Sequence, residues 1–118
     1  MNPHLVTLLE IQDLTSKARE LEAGDLGTLE RSYFGVEPAE AAALLREKAN
    51  ELEEDLPAPI RQRLRRVAGH VDRAVVPVIG GTCFGCFVSI PTATAGEGDP
   101  NEHLRSCETC GRFIYILH

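Results

Sequence analysis

The sequence predicts an α+β fold that is mainly helical, with a small three-stranded sheet at its C-terminal end. Two observations lead to this prediction. Apolar residues recur at helical spacing through the first part of the chain, whereas the last part holds short β-rich runs among Gly, Pro and four cysteines. We expect a coiled-coil-like antiparallel helical hairpin over residues 1–56, a third helix over residues 57–73 and a cysteine-bearing sheet over residues 74–118.

The first helix is predicted over residues 3–22. Asn2 is a preferred N-cap residue, and a proline such as Pro3 is well placed at the first helical position. The apolar positions then follow the spacing of a packed helical seam. These seam residues are Ile11, Leu14, Ala18 and Leu21.

The second helix is predicted to start at Glu37-Pro38 and to carry a matching seam. Its seam residues are Ala42, Leu45, Ala49, Leu52 and Leu56. Two such helices joined by a short connector are expected to fold back on each other. Because seams of this spacing pair within one chain or between two, both a monomer and a dimer remain open.

The connector over residues 24–37 carries two adjacent aromatic residues, Tyr33 and Phe34. Two interpretations remain open for them. Either they cover the end of the helical pair, or they contact a binding partner.

The third helix is predicted to open at Pro59, after the break at Pro57, and it is the one basic segment of an acidic chain. The net charge is −6 overall, −8 over residues 1–56 and +4 over residues 57–82. The arginines of this segment either form ion pairs with acids of the first two helices or contact nucleic acid or another partner. They are Arg61, Arg63, Arg65, Arg66 and Arg73.

Three strands are predicted after residue 73, over residues 74–79, 87–90 and 112–117. Pro77 lies inside the first of them and has no N–H to donate. The first strand is therefore expected at the edge of the sheet, or with its N–H side unpaired.

All four cysteines lie in two Cys-x-x-Cys pairs, and these are Cys83, Cys86, Cys107 and Cys110. Two such pairs at this separation predict one structural Zn²⁺ held by four thiolates. A zinc site that is released by oxidation and a pair of structural disulfides are the alternatives. Beside the ligands, Gly85 and Gly111 are expected to adopt positive φ and direct N–H groups at sulfur, and Arg112 to offset the negative charge.

The sequence does not predict an enzyme or a small-molecule substrate. It contains no Ser/His/Asp set, paired-carboxylate site or Gly-rich phosphate loop, and four thiolates leave no open position on the metal. No secretory signal or membrane-spanning run is recognisable, and metal-bound cysteines are typical of reducing compartments. A cytoplasmic protein without membrane contact is therefore expected.

Residues 74–87 and 107–115 resemble the bacterial C4-type zinc ribbon proteins that carry an N-terminal coiled-coil arm. The shared features are a Val-Pro-Val strand entering Gly-Gly-x-Cys-x-x-Cys, and a second Cys-x-x-Cys followed by Gly-Arg and a hydrophobic strand. The resemblance implies that the four cysteines bind zinc and that the protein is an interaction protein, with protein partners and in some members RNA. The helical arm here is shorter than is usual in the family.

Three functions are compatible with these features. The first is a non-enzymatic adaptor or regulator that binds a protein partner, for example in transcription or translation machinery. The second is nucleic-acid binding, of RNA or DNA, through the arginine-bearing third helix. The third is a redox-sensitive switch that loses zinc on oxidation.

Overall fold

The computed structural model describes residues 1–23, 37–90 and 100–117, and in these residues it has an α+β fold. The connector with Tyr33 and Phe34 and the loop over residues 91–99 lie outside the described residues. The helices are α1 Pro3–Glu22, α2 Pro38–Glu54 and α3 Ala58–Ala68; the strands are β1 Val75–Ile79, β2 Thr82–Cys83, β3 Arg105–Ser106 and β4 Phe113–Leu117. Within the described ranges, no helix combines the length and apolar character that crossing a membrane requires.

The helices begin where the capping residues predict. The Asn2 side chain accepts a hydrogen bond of 2.8 Å from the backbone N–H of His4, and Pro3 occupies the first turn of α1. Pro38 likewise opens α2 directly after Glu37. Helix α3 starts at Ala58, one residue before the predicted proline.

Helices α1 and α2 pack along each other through the predicted seams, and Ala18, Ala42 and Ala49 are buried between them. Near the end of α1, Arg46 of α2 donates a hydrogen bond of 2.6 Å from Nε to the Glu22 carboxylate. Because the segment that joins the two helices lies outside the described residues, the hairpin connection stays a prediction.

The sheet has four strands in the order β2-β1-β4-β3, rather than the three predicted. Strands β1 and β4 run parallel in its centre, and β2 and β3 pair antiparallel at its edges. The second strand of the sheet lies earlier in the chain than predicted. Gly80 and Gly81, with φ of 59° and 78°, form a two-residue turn that folds β2 back onto β1. The run predicted as a strand over residues 87–90 contributes a single bridge from Ser89.

Pro77 limits the pairing of β1 with β2. Strand β1 lies inside the sheet and not at its edge, which corrects the first of the two expectations for Pro77. The backbone N–H of Phe84 donates to the Pro77 carbonyl at 3.0 Å, but Pro77 has no N–H with which to complete the pair. The register therefore reaches only Val78 and Ile79.

Two side-chain amides continue the short edge strands. Gln12 of α1 donates from Nε2 to the Val75 carbonyl and accepts from the Val75 N–H, both at 2.9 Å. Asn101 likewise donates from Nδ2 to the Ile116 carbonyl at 2.9 Å and accepts from the Ile116 N–H at 2.6 Å. These amides form hydrogen bonds with backbone groups of β1 and β4 that the two-residue edge strands β2 and β3 do not reach. Gln12 also ties α1 to the sheet.

The two faces of the sheet have different neighbours. One face contributes Val75 and Phe113 to a core that also holds Leu5 and Leu8 of α1 and Leu64 of α3. The opposite face packs against the cysteines. Its buried residues are Val76, Val78, Ile114 and Ile116. Residues from all three predicted segments thus share the helical core, whereas the segment boundaries themselves stay predictions.

Candidate metal centre

The four cysteines converge at one end of the sheet. Their sulfur atoms lie within 4.8 Å of one another, with 3.9 Å between Cys83 and Cys110 and 3.7 Å between Cys86 and Cys107. Four sulfurs at about 2.3 Å from a tetrahedral Zn²⁺ are separated by about 3.8 Å. The separations across the two pairs match this value, so the four cysteines can bind a metal ion with the geometry that zinc prefers.

The two Cys-x-x-Cys turns, named here knuckle 1 (residues 83–88) and knuckle 2 (residues 107–112), have the same backbone hydrogen bonds. In knuckle 1 the N–H of Phe87 donates to the Cys83 carbonyl at 2.7 Å, and the Cys83 N–H donates to Val88 at 3.0 Å. In knuckle 2 the corresponding bonds, from Gly111 to Cys107 and from Cys107 to Arg112, measure 2.8 and 2.9 Å. The shared geometry directs both sulfur pairs at the same point.

The left-handed position of each knuckle is the residue after its second cysteine. Gly111 takes φ of 78° in knuckle 2, as expected. In knuckle 1 the equivalent residue is Phe87, with φ of 61°, and it is the one non-glycine residue with positive φ in the described part of the chain. The expectation of positive φ at Gly85 was therefore wrong, because the turn places that conformation two residues later.

The expectation that these glycines direct N–H groups at sulfur is met at Gly85 but not at Gly111, whose N–H donates to the Cys107 carbonyl. The Gly85 backbone N–H donates to the Cys83 sulfur at 3.4 Å. A Cβ atom at position 85 would lie 2.6 Å from Cδ of Arg112, so any other residue would make the arginine side chain shift from this position. The Arg112 side chain crosses from knuckle 2 to knuckle 1 and donates from Nε to the Arg73 carbonyl at 2.9 Å. It thereby joins the two knuckles to the end of the third-helix segment.

The free thiols differ in acidity. Burial opposes ionisation of Cys110, but hydrogen bonds from the backbone and side chain of Arg112, with further ones from Cys107 and Cys86, lower its pKa to about 7. A backbone hydrogen bond from Val88 favours the Cys86 thiolate. Burial and the neighbouring sulfurs outweigh that bond and raise the pKa of Cys86 to about 12. A metal ion that binds all four thiolates must therefore displace protons, and its affinity falls at low pH.

The arginines of the third helix are directed mainly at the protein itself. Arg65 contacts the Glu53 carboxylate at 2.5 Å, Arg61 donates to the Glu54 carbonyl at 3.4 Å, and the Arg63 guanidinium lies 5.3 Å from the centre of the Phe113 ring. The structure does not bring them together with the cysteines. Of the remaining two arginines, Arg66 is exposed, and the side chain of Arg73 lines a groove with Tyr115.

Five large apolar side chains are exposed in knuckle 1 and at the ends of β1 and β4, and together they are named here the apolar surface: Ile79, Phe84, Phe87, Val88 and Leu117. Ile79 and Leu117 are neighbours across β1 and β4, and the ring centres of Phe84 and Phe87 are 5.8 Å apart. Sequence reasoning did not find this surface. Aligning Cys-Phe-Gly-Cys-Phe with Cys-Glu-Thr-Cys-Gly would have pointed to it, because knuckle 1 carries phenylalanine where knuckle 2 carries glycine.

Comparisons of the chain with protein-family models, with curated proteins and with solved structures each find no match.

Proposed function

We propose that this protein is a non-enzymatic adaptor of the C4-type zinc ribbon kind found in bacteria. One structural Zn²⁺ is bound by Cys83, Cys86, Cys107 and Cys110 and stabilises the sheet. The apolar surface binds a protein partner in the cytoplasm. Four thiolates complete the tetrahedral shell, so the ion supports the fold and leaves no position for a substrate. Helices α1 and α2 form a short antiparallel hairpin that packs against one face of the sheet.

The observation that carries the proposal is the conformation and exposure of Phe87. Its φ of 61° is unfavourable for a residue with a side chain, and 71% of the residue is exposed to solvent. Glycine fulfils the same backbone role at position 111 without strain. Because neither the turn nor the core uses the Phe87 ring, we attribute its presence to a contact outside this chain.

The other exposed residues support the same conclusion. Aromatic side chains that cluster on a surface are typical anchors of protein interfaces, where they bury a large area at a small entropic cost. The backbone edge of β1 is already occupied by Gln12 and Phe84. We therefore infer that the partner binds by covering side chains, and not by adding a strand to β1.

Nucleic-acid binding is less well supported by the third helix. Three of its arginines already contact Glu53, Glu54 and Phe113, and the chain carries a net charge of −6. A phosphate backbone would have to compete with these contacts and with the general repulsion from an acidic protein.

The test is affinity capture by zinc-loaded wild-type protein and by the Phe87→Gly variant, from nuclease-treated lysate of the native cell. We expect wild-type protein to retain a specific protein partner and Phe87→Gly to lose it, although the variant binds zinc normally. Mass spectrometry identifies the partner, and light scattering distinguishes a separate partner from a second copy of this chain.

Leu44→Ser is the matched control, because Leu44 is equally apolar and 64% exposed but lies on α2, outside the apolar surface. It should leave capture unchanged. Equal capture by wild-type protein and Phe87→Gly would refute the proposal, as would a captured partner that disappears only when nucleic acid is digested.

A further inference from the structure

A cavity of about 520 Å³ opens on the cysteine side of the sheet, next to knuckle 2. Its apolar walls are the side chains of Ile90, Ile114 and Ile116, and Arg105 and Glu108 bring opposite charges to it. The volume falls within the range of about 300–1,000 Å³ that is common for small-molecule sites. One of the four cysteines, Cys107, also lines it, so the cavity adjoins the metal centre, whereas Cys83, Cys86 and Cys110 lie outside it.

Arg105 is the charged side chain of this cavity that points to an anionic ligand. It is half-buried, and it pairs in register with Ile114, whose side chain belongs to the cysteine-facing core of the sheet. Directly opposed residues of two strands direct their side chains to the same face. Within the described residues, the side chain of Arg105 forms no hydrogen bond or ion pair. A partly buried guanidinium without a partner is costly, and a bound anion would remove that cost.

The surroundings restrict the kind of anion. The three isoleucines favour a ligand with a compact apolar body. Glu108 and the negatively charged thiolates of a metal-loaded centre disfavour a ligand with more than one negative charge. A carboxylate meets both conditions and matches the two-pronged geometry of a guanidinium.

We propose that this cavity binds a small organic acid in which one carboxylate is joined to a branched apolar group. Arg105 binds the carboxylate, and Ile90, Ile114 and Ile116 enclose the apolar group. Branched fatty acids and apolar amino acids share this chemistry, and they differ by an ammonium group that Glu108 would contact.

The test is a titration of the zinc-loaded full chain, followed by the amide chemical shifts of Arg105, Ile114 and Ile116. The probes are 3-methylbutanoate, leucine, 3-methylbutylamine and inorganic phosphate at millimolar concentration. We expect 3-methylbutanoate to shift these amides, and the amine and phosphate to leave them unchanged. Leucine binding more tightly than 3-methylbutanoate identifies an amino acid as the ligand source, and weaker binding identifies a simple acid.

Two variants change the site in opposite directions. Arg105→Gln should weaken 3-methylbutanoate binding about tenfold or more, since it removes a charge-assisted hydrogen bond. Glu108→Gln should strengthen it, because it removes a like charge. Arg66→Gln, an exposed arginine on α3, is the matched control and should have no effect. Absence of shifts, preference for the amine, or equal binding by wild-type protein and Arg105→Gln would each overturn the proposal.

Discussion

Phe87 and Gly111 occupy the same position in two knuckles of nearly identical hydrogen bonding, yet Phe87 is the most exposed large apolar residue of the described chain and Gly111 has no side chain. Folding alone would favour glycine at both. This difference between the two knuckles is the observation on which the proposed partner contact of Phe87 rests.

The first prediction compares these two positions. Phe87→Gly relieves about 1–2 kcal/mol of left-handed strain in the folded state. Glycine also makes the unfolded chain more flexible, which costs about 0.5–1 kcal/mol of stability. The free energy of unfolding should therefore rise by about 0.5–1 kcal/mol. In Gly111→Ala the same two effects have the opposite sign, so the free energy of unfolding should fall by about 0.5–1 kcal/mol. Urea denaturation of the zinc-loaded variants measures both. A loss of stability in Phe87→Gly would show that the ring packs within this chain.

The second prediction compares two polar residues of the sheet. Asn101 is buried and hydrogen-bonded on both sides of its amide, whereas the buried hydroxyl of Ser106 finds no partner among the described residues. Asn101→Ala leaves two backbone groups of Ile116 unpaired and should cost about 2 kcal/mol or more. Ser106→Ala removes an unsatisfied hydroxyl and should be neutral or stabilising. Thermal unfolding compares the two variants, and a larger loss in Ser106→Ala contradicts this assignment.

Among the elements, helices α1 and α2 could be predicted almost to the residue, because both combine capping signals with seams long enough to show their period. The edge strands could not. Strands β2 and β3 have two residues each, which is too short for any alternation to be visible. Residues 87–90 have the composition of a strand, but they do not pair with β1, because the turn at Gly80 and Gly81 places β2 at that edge.

The metal ligands could be predicted from spacing alone, whereas their surroundings could not. Gly85 was expected to provide an unusual φ, but its role is to make room for Arg112, a contact between two knuckles that are distant in sequence. Gln12 shows the same limit, since nothing in a helical pattern indicates that one polar residue will bind a strand 63 positions later.

The third prediction concerns the ion pair that joins α1 and α2. The hydrogen bond from Arg46 holds the pKa of Glu22 below its ordinary value. Arg46→Met should return that pKa to its ordinary range. A carboxylate with a lowered pKa stabilises the folded state above its unfolded-state pKa, and this contribution disappears as the pH falls through the folded-state pKa.

A pH titration of the Glu22 side-chain carbon by NMR measures the shift. Lys48→Met is the control, because Lys48 pairs with Glu51 within α2 and not with α1. An unchanged pKa for Glu22 in Arg46→Met would show that this exposed ion pair does not persist in solution.

On the scale of the whole molecule, the candidate metal centre and the helical core lie on opposite faces of the two central strands. Strands β1 and β4 present Val76 and Ile114 to the cysteines on one face, and Val75 and Phe113 to α1 and α3 on the other. We therefore expect a change at the metal centre to reach the helical core through this single layer of backbone.

The fourth prediction is that zinc removal unfolds the helices together with the sheet. A structural four-thiolate zinc contributes about 10 kcal/mol or more, whereas a domain of this size is stable by about 5–15 kcal/mol in total. Without the ion the sheet should open, and Leu5 and Leu8 would lose Val75 and Phe113 as packing partners. Helical circular dichroism should thus fall in one transition after chelation, and Cys107→Ser should reproduce it in the presence of zinc. Cobalt absorption reports ligand loss independently, and full helicity that survives chelation would contradict the coupling.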